Sequence, residues 1–94
     1  MFEVKFVNPS QIKLVGRLDA AQAETATAAL RTLSASAVAD CSELEYISSA
    51  GIGVLIETFK RLRDAGHTLT LAGMTPRVRN VFAYAGLDRV LRIE

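Results

Sequence analysis

The chain has 94 residues, half of them hydrophobic, and a formal net charge of +1. This length is typical of one small domain. A net charge so close to zero gives no electrostatic reason to expect nucleic-acid binding, and no apolar run is long enough for membrane insertion. The single cysteine excludes an internal disulfide. Because the N-terminus lacks the apolar core of a signal peptide, we expect a cytoplasmic protein.

The first predicted elements are two strands joined in a hairpin. Phe2, Val4 and Phe6 alternate with charged residues and predict a half-buried strand over 2–7. Turn residues follow, and residues 11–18 predict a second strand that pairs with the first. We therefore expect the hairpin to form an antiparallel edge of a sheet.

The next predicted elements are a helix and a short strand. Asp19 is the expected N-cap of a helix over 20–33, with Gln22 at the third helical position of a capping box. Residues 35–41 predict a third strand, at whose end we place Asp40. We interpret this carboxylate as a strand-end acid satisfied by backbone N–H groups. A role in orienting a metal ion or a kinase partner stays open.

The middle helix has the clearest pattern in the chain. It is predicted over 49–65, with Gly66 after its end and with the charged residues at 60, 61, 63 and 64 facing solvent. Its expected buried face follows helical spacing and consists of Ile52, Leu55, Ile56, Phe59 and Leu62.

The C-terminal part repeats the strand–helix order. Alternation predicts a fourth strand over 67–72, and residues 90–93 predict a final short strand. Between them, Thr75 is the expected N-cap of a third helix that begins at Pro76. Met74 precedes this helix, and we expect it to be exposed and to suit an adaptable contact surface.

The element order β-β-α-β-α-β-α-β predicts an α/β fold whose parallel strands are joined by helices. Right-handed crossovers bring every helix start to the same edge of such a sheet, where ligands of open α/β sheets bind. We therefore expect one end of the molecule to gather Asp19, Asp40, the 48–51 segment and the 73–75 segment.

The sequence contains no constellation typical of an enzyme. Its one histidine, His67, and its one cysteine, Cys41, lie far apart, which argues against a nucleophilic pair. No cluster of His, Cys and Asp has the spacing of metal ligands. The Gly51-Ile52-Gly53 segment lacks the rest of a dinucleotide or phosphate loop. We therefore predict no catalytic residue, no metal site and no cofactor.

Two serines open the middle helix and form the candidate site. Either Ser48 or Ser49 is a suitable N-cap, which is the simplest interpretation of the pair. Gly51 and Gly53 each cost up to about 1 kcal/mol of helix stability relative to Ala. With Ala50 they leave the serines open to a second protein; close packing on a strand is the alternative explanation. Because a phosphate is favoured at a helix N-terminus, Ser49 is the candidate phosphoacceptor and Ser48 the second candidate.

Taken together, these motifs resemble a STAS domain, in particular a stand-alone anti-sigma-factor antagonist. The resemblance covers nearly the whole chain and is carried by Gly16–Asp19, Asp40, Ser49–Leu55, Leu71–Val78 and Ala85–Leu87. It implies a single STAS domain over 1–94, with a four- to five-stranded mixed sheet and flanking helices. It also implies a regulator of transcription that is not an enzyme.

The resemblance further implies partner switching. An unphosphorylated antagonist binds an anti-sigma factor, a serine kinase with a histidine-kinase-like ATPase fold, and so frees the sigma factor. The kinase then phosphorylates the serine that aligns with Ser49, the complex dissociates, and a serine phosphatase resets the cycle. The implied partner-binding residues are Asp19, Asp40, Ser48, Ala50, Gly51, Gly53, Met74 and Thr75.

One position departs from the family pattern. The family usually has Asp immediately before the acceptor serine, and this chain has Ser48. The departure favours an alternative, a STAS interaction module without phosphorylation in a stressosome-like or lipid-transport complex. A third, more distant alternative is a small nucleotide-binding enzyme, which the missing phosphate loop disfavours. We expect a monomer or a weak homodimer paired through the exposed first strand.

Overall fold

Five strands form one mixed sheet in chain order, in a computed structural model that describes residues 1–94. The strands are β1 (Phe2–Asn8), β2 (Gln11–Leu18), β3 (Ala37–Ile47), β4 (Leu69–Ala72) and β5 (Arg92–Ile93). β1 runs antiparallel to β2, and all other neighbouring strands are parallel. The predicted hairpin and the α/β element order are confirmed.

Three helices and two short 3-10 turns connect the parallel strands. They are α1 (Ala23–Leu30), α2 (Ser49–Asp64) and α3 (Pro76–Tyr84), with 3-10 turns at Ala20–Gln22 and Leu87–Arg89. Every crossover moves one strand further in the same direction, and right-handed crossovers of this kind place their helices on one face of a sheet. None of these helices has both the length and the apolar character that a membrane span requires.

The core lies between the sheet and this helical layer. β2 shows the alternation that creates it: Ile12, Leu14 and Leu18 are fully buried, whereas Gln11 and Arg17 are exposed. The same inward positions of the other strands join them in one cluster of 21 buried hydrophobic residues. Most outward positions are open to solvent on the second face of the sheet, although Thr70 of β4 is only 8% exposed.

β3 is longer than its sequence pattern predicts, and the placement of Asp40 at the end of a strand is wrong. The strand continues to Ile47, and its buried residues are Ala37, Ala39, Cys41, Leu44 and Ile47. Their spacing changes from two to three because the register with β2 shifts twice after Asp40, and each bulge adds one residue to β3. Strict alternation of inward residues therefore ends at Cys41, six residues before the end of the strand at Ile47.

The first helix is shorter than predicted. A 3-10 turn precedes α1, and α1 ends at Leu30 instead of Leu33. Arg61 of α2 donates from its guanidinium to the carbonyl oxygens of Leu30 and Leu33, both at 2.8 Å. Arg61 therefore satisfies the Leu33 carbonyl at the end of α1 and adds a second donor to the Leu30 carbonyl, which already accepts from the Leu33 N–H at 3.1 Å. Arg61 is exposed, as predicted, and its guanidinium still makes these two contacts.

The buried face of α2 is rotated from the predicted one. Its buried residues are Gly51, Val54, Leu55, Thr58 and Leu62. Only Leu55 and Leu62 belong to the predicted set, whose other members, Ile52, Ile56 and Phe59, are half-buried at the side of the helix. Glycine and threonine are tolerated on this face because Gly51 has no side chain and the Thr58 hydroxyl donates to the Val54 carbonyl at 2.9 Å.

β1 is only partly buried, as an edge strand with one neighbour. Phe2 contacts the core, but 48% of Phe6 and 57% of Val7 are exposed. Phe6 lies on the helical face, as the alternation predicts, but no element covers it fully. β4 and β5 are shorter than predicted, and they start at Leu69 and Arg92.

Candidate functional site

The two serines before α2 have different positions. Ser48 is the N-cap: its backbone is extended, with φ −92° and ψ 172°, and its Oγ accepts a hydrogen bond from the Gly51 N–H at 3.2 Å. Its own N–H donates to the Leu18 carbonyl at 2.9 Å, which ties the cap to the end of β2. Ser49 is the first helical residue and is exposed. One hydroxyl is thus engaged in the fold, and the other is accessible.

The N-terminus of α2 favours a negative charge at Ser49. The first-turn N–H groups of a helix lack partners within it, and the helix dipole places partial positive charge there. The first turn contains no acidic residue, while Arg61 and Arg63 lie in the last turn. A phosphate on Ser49 would therefore meet no like charge from its own turn.

The two glycines of α2 have separate explanations. A Cβ on Gly51 would lie 2.7 Å from both the carbonyl oxygen and the Cγ of Leu18, and 2.9 Å from Cγ1 of Ile47. Gly51 is therefore required for close packing of α2 on β2 and β3. A Cβ on Gly53 would meet no atom within 4 Å, so packing explains Gly51 and not Gly53.

Asp19 lies at the same edge of the sheet as the serines. Leu18 pairs with Ile47, so Asp19 and Ser48 follow neighbouring positions of adjacent strands. The Asp19 carboxylate accepts from the Gln22 N–H at 3.2 Å, which confirms the predicted N-cap, although the element that it caps is the 3-10 turn. We call Asp19, Ser49, Ala50 and Gly53 the Ser49 surface.

A neighbouring pair on the open face of the sheet, Arg17 and Tyr46, has no local signal in the sequence. Arg17 and Tyr46 occupy paired positions of β2 and β3, and the Arg17 guanidinium lies 4.4 Å from the centre of the Tyr46 ring. Each residue lies two positions before a member of the predicted site, Asp19 or Ser48. Only the β2–β3 register could have revealed this pair, and the unrecognised bulges concealed that register.

Asp40 is not part of this surface. It pairs with Lys13 and Ala72 in the middle of the sheet, and about eight residues of strand, on the order of 20–26 Å, separate it from Ser48. Its carboxylate accepts from the Ser42 N–H at 2.9 Å. Hydrogen bonds from the backbone and side chain of Ser42 lower the pKa of Asp40, and the positive charge of Lys13 adds to this effect. These contacts support the structural interpretation of Asp40.

The start of α3 also lies away from the serines. Met74 is 9% exposed and belongs to the core, so the expectation of an exposed methionine is wrong. Thr75 is the N-cap, as predicted, and its hydroxyl accepts from the Val78 N–H at 3.4 Å. A shallow cleft of about 340 Å³ separates this helix start from the Ser42–Glu45 part of β3. Because β4 ends level with Asp40, the predicted gathering of four segments at one edge is wrong for Asp40 and for 73–75.

The single thiol of the chain lies in the hydrophobic core. Cys41 is buried, and burial raises the pKa of its thiol to about 12. The thiol is therefore protonated at neutral pH and is a poor nucleophile. No group of three or more His, Cys, Asp and Glu side chains is arranged to hold a metal ion.

Comparison with known proteins gives a consistent family and fold. A family model described as "Mlab, STAS domain" matches residues 4–93. Over 55 residues the chain is 34% identical to the anti-sigma-B factor antagonist of Listeria monocytogenes, covering 58% of this chain and 48% of that protein. The chain thus spans about half the length of the curated relatives it matches.

Two solved structures have the same fold. The Thermotoga maritima protein TM1081 superposes with a TM-score of 0.80 at 23% identity, covering 99% of this chain and 85% of that one. Phosphorylated SpoIIAA from Bacillus superposes with a TM-score of 0.72 at 20% identity, covering 100% of this chain and 91% of that one. At such identities the likeness shows the fold alone. It matches the mixed five-stranded sheet with its three helices.

Proposed function

The chain belongs to the STAS domain family, and from this membership we propose that it is an anti-sigma-factor antagonist whose docking is controlled by phosphorylation of Ser49. One observation carries the proposal. The Ser49 hydroxyl is exposed at the first position of α2, while the adjacent Ser48 hydroxyl is engaged as the N-cap. The name of the Listeria relative and the phosphorylated form of SpoIIAA support the same reading.

In the unphosphorylated state, the Ser49 surface docks on an anti-sigma factor that is a serine kinase with a histidine-kinase-like ATPase fold. Ala50 and Gly53 carry almost no side chain, so a partner can approach the helix backbone closely. Gly53 has no neighbour that excludes a Cβ, and helix propensity alone would select alanine there. A close-fitting partner explains why a glycine occupies this position.

In the phosphorylation step, the chain is a substrate and the kinase supplies the catalytic groups. Ser49 Oγ attacks the γ-phosphorus of ATP, its proton leaves to a base of the kinase, and the bond to the β–γ bridging oxygen breaks to give ADP. A serine phosphatase later hydrolyses the phosphoserine and restores the hydroxyl. No catalytic residue of this chain is required.

Phosphorylation changes docking without changing the fold. It adds about −1.5 to −2 charges at pH 7, which the N-terminus of α2 tolerates in the free protein. In the complex the same charge must lose its water, at a cost that rises steeply with burial. Because about 1.4 kcal/mol is tenfold in affinity, a penalty of a few kcal/mol suffices for release.

Ser48 is compatible with this proposal, although the family usually has Asp there. Asp and Ser are about equally good N-caps, so the substitution preserves the cap, and the Ser48 Oγ makes that contact at 3.2 Å. The cap also leaves Ser48 half-buried, so Ser49 is the better acceptor of the two.

The test is phosphorylation by the cognate anti-sigma kinase and ATP, followed by peptide mass spectrometry. We expect one phosphate on Ser49 in the native chain and none in Ser49→Ala. Ser48→Asp is the matched control, since it keeps an N-cap and removes the competing hydroxyl, and it should be labelled as well as the native chain. Labelling that persists in Ser49→Ala and disappears in Ser48→Asp would move the acceptor to Ser48.

The alternative is a STAS module that docks without phosphorylation, as a subunit of a stressosome-like or lipid-transport complex. The chain lacks the usual Asp at position 48, and this departure favours the alternative. A phosphate cycle requires that Ser49→Asp binds the partner more weakly than Ser49→Ala does. Equal affinities of the two variants would favour the alternative.

A further inference from the structure

The two edges of the sheet differ in how open they are. β5 has two residues, and the chain continues as Glu94, whose N–H donates to the Leu71 carbonyl of β4 at 2.8 Å. β1 has seven residues and no neighbour on its outer side. A long, unprotected edge of this kind is a template for pairing with another strand.

The register of the hairpin identifies which backbone groups of β1 are free. Arg17 donates its N–H to the Met1 carbonyl at 2.8 Å, so this opposed pair is hydrogen-bonded. Hydrogen-bonded and non-hydrogen-bonded pairs alternate along an antiparallel ladder. Phe2, Val4 and Phe6 are opposed to even-numbered residues of β2 and belong to the non-bonded pairs. Their N–H and C=O groups therefore point away from β2, to the free edge.

The side chains of β1 are also incompletely paired. No ion pair of the structure includes Glu3 or Lys5. Lys5 is directly opposite Lys13 in the β1–β2 register, and like charges in that arrangement are unfavourable. On the other face, Phe6 is 48% exposed. The edge therefore has an unpaired acid, an unpaired base and an uncovered aromatic ring.

We propose that β1 pairs antiparallel with β1 of a second copy of this chain, about a two-fold axis at Val4. In this register Glu3 is opposite the partner subunit's Lys5, and Lys5 is opposite the partner subunit's Glu3. Phe2 lies beside the partner subunit's Phe6 on the helical face. Phe2, Val4 and Phe6 then exchange backbone hydrogen bonds with the partner subunit, and both sheets join into one.

The charges select this register from its neighbours. Only registers that oppose outward-pointing residues can form a ladder, so the nearest alternatives centre on Glu3 or on Lys5. Centring on Glu3 opposes two glutamates and shortens the ladder. Centring on Lys5 opposes two lysines, and its ladder extends past Phe6 into the irregular end of β1. Centring on Val4 opposes acid to base twice and uses the strand from Phe2 to Phe6. Charge complementarity thus identifies the occupant of this edge as a second copy.

The proposed dimer leaves the Ser49 surface free. An antiparallel edge pairing places the two-fold axis perpendicular to the sheet, so both helical layers lie on the same side. The two α2 N-termini then lie at opposite ends of the joined sheet. Each copy can therefore still dock a partner. A result that excludes the dimer leaves the phosphorylation proposal intact, and a result that excludes phosphorylation leaves the dimer intact.

The test is sedimentation equilibrium of charge variants of the full chain, over protein concentrations of roughly 0.05–1 mM, a range suited to a small interface. In a dimer of the Glu3→Lys variant, lysine faces lysine at both of these contacts. In a dimer of the Lys5→Glu variant, glutamate faces glutamate at both. We expect each variant alone to dimerise at least tenfold more weakly than the native chain. An equimolar mixture of the two variants should recover the native affinity, because every Glu–Lys pair is then restored.

Circular dichroism melting checks that the variants fold, since both side chains are exposed. Lys60→Glu, on the exposed side of α2, is the charge-matched control and should dimerise like the native chain. A native chain that stays monomeric at 1 mM would overturn the proposal. So would a mixture that dimerises no better than each variant alone, which would move any dimer to a different surface.

Discussion

The starts of α2 and α3 are alike in local chemistry and differ in what they present. Both have a hydroxyl N-cap, Ser48 or Thr75, that accepts from the third helical N–H. α2 continues with exposed Ser49 and Ala50, whereas α3 continues with Pro76 and Arg77. A capping signal therefore marks only where a helix begins. The residues after the cap determine whether a helix start can also be a docking surface.

The difference between the two helix starts should have its largest effect on partner binding. Ser49→Asp adds a charge where we place the partner, so it should weaken binding of the anti-sigma kinase by roughly hundredfold, about 3 kcal/mol. Arg77→Asp adds an acid to the first turn of α3 and should change the affinity by less than about twofold. Isothermal titration calorimetry measures both. An equal loss in both variants would remove the distinction between the two helix starts.

The second test separates packing from exposure within α2. Gly51→Ala forces a methyl group against the Leu18 carbonyl, and we expect a loss of about 1–3 kcal/mol in the free energy of unfolding. Gly53→Ala meets open space, so it should gain up to about 1 kcal/mol from helix propensity while weakening partner docking. Urea denaturation gives both stabilities. Similar stabilities for the two variants would contradict the assigned difference between the glycines.

The third test asks whether the two caps are equivalent. Ser48→Ala and Thr75→Ala should each lower the free energy of unfolding by about 1 kcal/mol, because each leaves a first-turn N–H without its partner. Thermal melting of the two variants side by side provides the measurement. If Ser48→Ala costs nothing, the hydroxyl is not engaged as the cap, and Ser48 becomes as available to a kinase as Ser49.

The smallest effect concerns Asp40, which lies beside the start of α3. Its lowered pKa means that the folded state favours the carboxylate, so its contribution to stability is present above the unfolded pKa of about 3.9 and is lost as the pH falls through the folded pKa. Asp40→Asn should therefore destabilise the protein at pH 7 by less than about 1 kcal/mol, and the difference should shrink as the pH falls through the folded pKa of Asp40.

Partner affinity should be unchanged in Asp40→Asn, since Asp40 is remote from the Ser49 surface. A strong loss of affinity at full stability would return Asp40 to the docking surface. Denaturation at several pH values and a binding titration at pH 7 distinguish these outcomes.

The sequence predicts the order of the elements because each element has its own local signal. Alternation, helical spacing and capping residues place the hairpin, α2 and the N-caps Asp19 and Thr75. Prediction from these local signals fails for the length of β3, because two bulges change the spacing of inward residues from two to three. It fails for Met74, because burial in a loop depends on the neighbouring elements and leaves no periodic pattern.

The candidate site was only partly predictable for the same reason. The position of Ser49 at a helix start is what makes it the candidate phosphoacceptor. The separate roles of Gly51 and Gly53 required knowing that Leu18 lies against one of them and nothing against the other. The Arg17–Tyr46 pair depends on a cross-strand register. Local chemistry is thus readable from sequence, whereas long-range register is not.

The central claim, that the charge state of the Ser49 hydroxyl controls docking, is tested most directly by calorimetric titration of the anti-sigma kinase with the phosphorylated and unphosphorylated protein. We predict that phosphoserine at position 49 weakens binding by roughly hundredfold or more and leaves the melting temperature of the free protein almost unchanged. Equal affinities of the two forms would contradict the account.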